Sequence, residues 1–230
     1  GGVCPGNICP CSEAGIRAAI AEGGGPFTFE CDGPQTLVTE AELLIDKDVV
    51  LDGEGYLTLD GDDTHGVLSV AEGVTAALRR ITVTRGRRES EGHGGGAVAN
   101  EGALLLEHCI VSNNYAEPGR PSWQGGGGIW NAGEMEIRFS AILGNETSHG
   151  EGGGVYNAHG GTLSLRDSTV ADNRPQMDGT ASVGGGIFNR GEMSISNSTV
   201  SENVLGSEGN SGAGIVNYGR MSLVSGTITG

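Results

Sequence analysis

Gly126-Gly127-Gly128-Ile129-Trp130-Asn131-Ala132-Gly133-Glu134 is one of five versions of the same stretch in this chain. GGGAVANEG begins at Gly94, GGGVYNAHGG at Gly152, GGGIFNRGE at Gly184 and GAGIVNYGR at Gly212. Aligned on Asn100, Asn131, Asn157, Asn189 and Asn217, the repeats are separated by 31, 26, 32 and 28 residues. After each asparagine comes a short apolar-polar alternation at 104–106, 135–137, 163–165, 193–195 and 221–223. A second alternation follows at 108–111, 140–143, 168–170 and 198–200, and ends at Asn114, Asn145, Asn173 and Asn203. Three of these second asparagines lie 14 residues past the first; Asn173 lies 16 past it, because 159–161 lengthens the turn.

Short strand patterns at a steady period, with no helical pattern between them, specify a solenoid. Coils of this length with Gly and Asn at the corners suit an all-β right-handed parallel β-helix. Glycine takes the positive φ that a corner demands, and stacked asparagines can bond one another from coil to coil. The leucine-rich and propeller signatures are missing. Residues 1–93 read as an N-terminal cap with irregular coils, and 94–230 as regular Gly/Asn-rich coils of the same continuous domain. Further strands are expected at 27–29, 43–45, 49–51, 57–59, 67–70 and 77–83. The last repeat ends without a cap, so a C-terminal domain or partner is expected over the open end of the stack.

The composition agrees with this. Of 230 residues 44 are glycine, and they do not recur at every third position, which excludes collagen. Charged residues are 18% against 36% hydrophobic, which argues against wholesale disorder. The net charge of −16 makes nucleic acid and anionic membranes poor partners. No apolar run approaches the length of a membrane span, so no membrane insertion is expected. The arginines cluster at Arg79, Arg80, Arg85, Arg87 and Arg88, a run read as a solvated face.

Cys4, Cys9, Cys11 and Cys31 crowd the N-terminus. Cys9-Pro-Cys11 lacks the spacing of a zinc half-site, so two disulfides are expected, Cys11 to Cys31 first among the pairings. Residues 12–21 (SEAGIRAAIA) read as a short capping helix, with Ser12 as N-cap and glycines after it. Cys109 stands in a repeat strand as a buried free thiol.

GGGIWNAGE and GGGIFNRGE, each followed by a strand and an asparagine, resemble the repeats of secreted right-handed β-helix proteins. Polymorphic outer-membrane proteins and autotransporter passengers belong to that group. The opening at 11–20 (CSEAGIRAAI) is similar to the Cys-Leu-Arg-Glu-Ala-type motif that begins many such bacterial proteins. The resemblance implies a β-helix at the cell surface or secreted from it, and is nearly silent on chemistry.

Three groups of residues are candidates for function. In the row before the first asparagines, Trp130, Tyr156 and Phe188 alternate to the outside and form an aromatic strip, extended by Trp123. Such a strip suits the apolar faces of sugar rings, and a carbohydrate-binding or adhesin-like module is the leading function. In the competing arrangement the rings fill the core or stack on one another. Second, the variable loops after the second asparagines share one side, and Asp172 and Glu202 occupy equivalent corner positions there, as a glycosidase carboxylate pair would. Third, Gly61-Asp62-Asp63 and Gly92-His93-Gly94 resemble two short motifs of the polygalacturonases, whose Asn-Thr-Asp and Arg-Ile-Lys motifs have no counterpart. Asp60, Asp62 and Asp63 also suggest a calcium loop, with Gly66 one residue late for an EF-hand. The rival function is a lyase or hydrolase of an acidic polysaccharide, with Arg79, Arg80 and Asp62 as first suspects. A passive stalk is the third reading. No metal site and no other cofactor are expected.

Overall fold

The computed structural model describes residues 4–90, 94–119, 124–148, 151–176, 184–205 and 212–229. The chain winds into a parallel β-solenoid of about six turns. A full coil has four strands, for example Ile129–Asn131, Glu134–Arg138, Ala141–Leu143 and Glu146–Ser148. The first strands stack into a seven-stranded sheet and the fourth into a four-stranded one. Second and third strands share a fifteen-stranded sheet, because Val49–Asp60 and Thr75–Thr84 each run through both positions as one bent strand. The repeat alignment is the register: Asn131 pairs with Asn157, Ile137 with Leu165 and Ile142 with Val170. The sheet passes without a break from the irregular coils into the regular ones, Thr75–Thr84 pairing with Ala103–Glu107. Alternation in each strand turns Ile129, Met135, Ile137 and Ile142 into a dry central core.

The corners are held by hydrogen-bonded ladders. Asn100, Asn131, Asn157, Asn189 and Asn217 are joined in sequence, each Nδ2 donating to the next Oδ1 at 2.6–2.7 Å. A second ladder runs from Asn114 through Asn145 and Asn173 to Asn203 at 2.8–3.0 Å. In both ladders buried amides also satisfy backbone groups that no strand partner reaches. A third ladder was not foreseen: Cys109, Ser140 and Ser168 donate their backbone N–H groups to the hydroxyls of Ser140, Ser168 and Ser198. Cys109 is the first rung of this serine row, and it is a buried free thiol.

Glycine plays only part of the role expected of it: Gly152, Gly184 and Gly212, which open three of the repeats, have φ of 87°, 72° and 72°. The left-handed positions before the two inner ladders hold His108, Phe139, Asp167 and Asn197, and Asn113, Gly144, Asp172 and Glu202. The other glycines of these stretches serve close approach. A Cβ added at Gly96 would lie 2.3 Å from Gly127 O and 2.5 Å from Tyr115 O, so the chain passes where no side chain fits. Of the fourth strands, Tyr115–Pro118, Glu146–Ser148 and Arg174–Gln176 lie where the sequence suggested loop, and Arg87–Ser90 lies in the arginine run. Their alternation is too short to register as a pattern.

The cap is as expected. Helix Glu13–Glu22 starts at Ser12, whose hydroxyl accepts from Gly15 N at 3.2 Å, and ends at Gly23 with φ 77°. It buries Ile16, Ala19 and Ile20 over the first coil, and Arg17 ties it to Ala41 O at 2.8 Å. Disulfides join Cys4 to Cys9 and Cys11 to Cys31, so these sulfurs hold each other and not zinc. At the other end, Met221, Leu223 and Ile228 of the last coil are exposed. No helix among the described residues is long and apolar enough to cross a membrane.

Candidate functional site

The aromatic strip exists in register, but solvent reaches only a small part of Trp130. Trp130 pairs with Tyr156 and Tyr156 with Phe188, and the last two rings stack at 5.5 Å with planes 5° apart. Trp130 is 6% exposed, and Tyr156 and Phe188 are 0%. The outward face of the first-strand sheet is therefore a second, smaller core, completed by Ala158 and Val216. Its cover is specific. The Arg190 guanidinium, paired to Glu151 at 3.1 Å, lies 5.2 Å from the Phe188 ring. A Cβ added at Gly152 or Gly184 would lie 3.3 or 3.2 Å from Phe188 Cβ. The expected open sugar-binding strip is corrected accordingly: the rings pack on one another beneath the glycine segments. Tyr156 pays for this position, since its buried hydroxyl has no hydrogen-bond partner among the described residues and burial raises its pKa. Trp123 and His93 lie outside the described residues.

The proposed carboxylate pair occupies the exposed outer corner. Asp172 and Glu202 sit one coil apart with φ of 57° and 56°, in the left-handed position that Asn113 and Gly144 fill in other coils. Neither lines the cavities described below.

The lyase suspects are not brought together. Arg79 pairs with Glu107 at 3.1 Å, and Glu107 also holds Arg138 at 2.8 Å. Arg80 is bound to Asp52 in the bend of the sheet. Asp62 belongs to a different corner, where Arg85 Nε meets Asp60 at 2.8 and 2.9 Å and Nη2 reaches Asp62 at 2.9 Å. The cation that these aspartates hold is thus a guanidinium of the next coil. Its hydrogen bond to Asp60 raises the pKa of Arg85 further. No group of three or more His, Cys, Asp or Glu side chains is arranged to hold a metal among the described residues.

The feature best suited to a ligand is a polar cleft beside this corner. It has a volume of about 570 Å³ and is lined by Glu42, Asp63, His65, Arg87, Arg88 and Glu89, with Thr64 and Gly66 beneath. Its two walls are successive coils: Arg85 O accepts from Asp63 N at 2.8 Å, and His65 O accepts from Arg87 N at 2.9 Å. His65 is fixed at both ring nitrogens, Nε2 lying 2.9 Å from Thr39 Oγ1 and Nδ1 2.8 Å from Thr64 Oγ1. Arg87 bonds Glu89 at 2.6 Å and lies 4.6 Å from the Tyr115 ring. Arg88 bonds Glu42. The cleft thus carries donors and acceptors in matched pairs and little net charge.

Sequence reasoning read both walls without joining them, the acidic stretch 60–63 as a weak motif and the arginines 85–88 as a solvated face. The available signal was their separation of about one coil, with opposite signs. Comparison with known proteins adds no assignment: no protein family, no curated protein and no solved structure matches this chain.

Proposed function

We propose that this chain is a saccharide-binding β-solenoid of the extracytoplasmic space, with the cleft between Glu42, His65 and Arg88 as its site. The observation that carries the reading is the lining of that cleft. Paired carboxylates and guanidiniums supply both halves of the hydrogen bonds that sugar hydroxyls make, beside an imidazole whose two nitrogens are held by Thr39 and Thr64. The ligand that suits it is neutral. Each cleft arginine already faces a carboxylate, and a net charge of −16 repels a polyanion. Binding is therefore favoured over degradation of an acidic polysaccharide. The two N-terminal disulfides support an oxidising compartment, in keeping with a secreted or surface-exposed module. An immobilised panel of neutral and acidic glycans is the test. Retention of neutral glycans that is lost in His65→Ala and Glu89→Gln supports the reading. Retention of none, or of acidic glycans only, overturns it.

A further inference from the structure

The outer row of the first-strand sheet changes size abruptly. In register it passes from Leu44 to Ser69, Ala99 and Trp130, and then to Tyr156 and Phe188. The small Ser69 and Ala99 leave a hollow of about 390 Å³ against Trp130, whose floor also includes Leu44 and Ala71. Of the three aromatic rings, Trp130 alone lines a described cavity. Glu42 and Arg88 line this hollow and the polar cleft alike, so one ion pair stands where the two meet.

The position of Arg88 is built into the backbone. A Cβ at Gly94 would lie 2.0 Å from Arg88 Cδ, and one at Gly66 would lie 2.4 Å from its guanidinium. Arg88 Nε also donates to Gly95 O at 3.2 Å. Two glycines, a carbonyl and Glu42 thus hold one side chain between the polar cleft and a chamber of mixed lining, where Glu101 stands beside Leu44, Ala99 and Trp130. Each chamber falls in the size range that takes a small ligand.

Building on the saccharide reading, we infer that the site takes a neutral oligosaccharide at least two rings long. One ring places its hydroxyls against Arg87 and Glu89, beside the His65 ring. The next lays its C–H face against Ala99 and the edge of Trp130, and the linkage crosses the Glu42–Arg88 pair. Sugar rings have both kinds of surface, and the second chamber offers Leu44, Ala99 and Trp130 to the apolar face and Glu101 to a hydroxyl.

Ala99→Leu tests this without truncating a core residue. The equivalent position holds Trp130, Tyr156 and Phe188 in later coils, so the row accepts a larger side chain, and an unchanged melting temperature verifies that. Calorimetric titration would use glucose, mannose and N-acetylglucosamine with their di- and trisaccharides. Wild type is expected to bind a disaccharide about tenfold tighter than its monosaccharide, the scale of one good apolar contact. Ala99→Leu should abolish that increment and leave monosaccharide affinity unchanged. If Ala99→Leu keeps the full increment while His65→Ala loses all binding, the second chamber is not a subsite and the saccharide reading stands. If no sugar binds wild type, the saccharide reading fails and this inference fails with it.

Discussion

Removing a single amide from the inner asparagine ladder separates the contribution of the ladders from that of the apolar core. Asn145 is fully buried. Its Oδ1 accepts from Asn114 N at 3.1 Å and Asn114 Nδ2 at 2.8 Å, while its Nδ2 donates to Asn173 Oδ1 at 2.9 Å and Val111 O at 3.0 Å. Asn145→Ala removes all four. Asn114 Nδ2 keeps Val83 O and Ser112 O, and Asn173 Oδ1 keeps the backbone N–H of residue 145. The Asn114 backbone N–H is left with no such substitute in a site closed to water. An orphaned buried donor costs about 1–3 kcal/mol, and each further lost bond about 1 kcal/mol. The expected loss is therefore about 4–6 kcal/mol. Asn217→Ala is the control, because Asn217 is an exposed end rung that accepts one ladder bond from Asn189. Water replaces that bond, and the cost should stay near 1 kcal/mol. Urea denaturation followed by circular dichroism measures both, provided each variant unfolds in one transition. Equal losses in the two variants would refute the reasoning and leave the ladders as ornaments on a core that holds without them.

Three further expectations follow from the same kind of accounting. Burial raises the Cys109 thiol to about 11, so the native state keeps a proton that the unfolded chain loses near pH 9. Stability should then fall between pH 9 and pH 11, by about 1 kcal/mol at pH 10, and Cys109→Ser should be stable and lack that part of the slope; a slope identical in both proteins contradicts it. Tyr156→Phe removes an unpartnered buried hydroxyl and should raise stability by about 1 kcal/mol, which a lowered melting temperature would disprove. Cys11–Cys31 spans 20 residues, so its selective removal should cost about 3 kcal/mol on the chain-entropy estimate, and thiol labelling of unreduced protein should find one reactive cysteine, only after unfolding.

The parallel solenoid was legible because its repeat is strict where it matters. Asn131, Asn157 and Asn189 must fall in register for their amides to meet, so spacing in the sequence and stacking in space are the same fact. The cap was legible for a similar reason: Ser12, Gly23 and the cysteines act on near neighbours. Burial of the aromatic strip was not. Period-two alternation says that Trp130, Tyr156 and Phe188 leave the central core, and it does so correctly. It cannot say that Arg190 and the glycine segments close over that face, because that closure depends on Glu151 meeting Arg190 across 39 residues. The cleft was hidden by the same limit. Arg88 meets Glu42 from 46 residues away, across irregular coils whose register no repeated asparagine marks. The serine ladder was passed over because its first rung is Cys109.

Backbone amide NMR during titration with neutral oligosaccharides tests the central claim most directly, since it reports where a ligand sits and needs no variant. Binding at the divided cleft should move the resonances of Glu42, His65, Arg88 and Glu89 together with Ala99 and the Trp130 indole, and leave the exposed corner at Asp172 and Glu202 still. Shifts confined to that outer corner, or none across the panel, would contradict it.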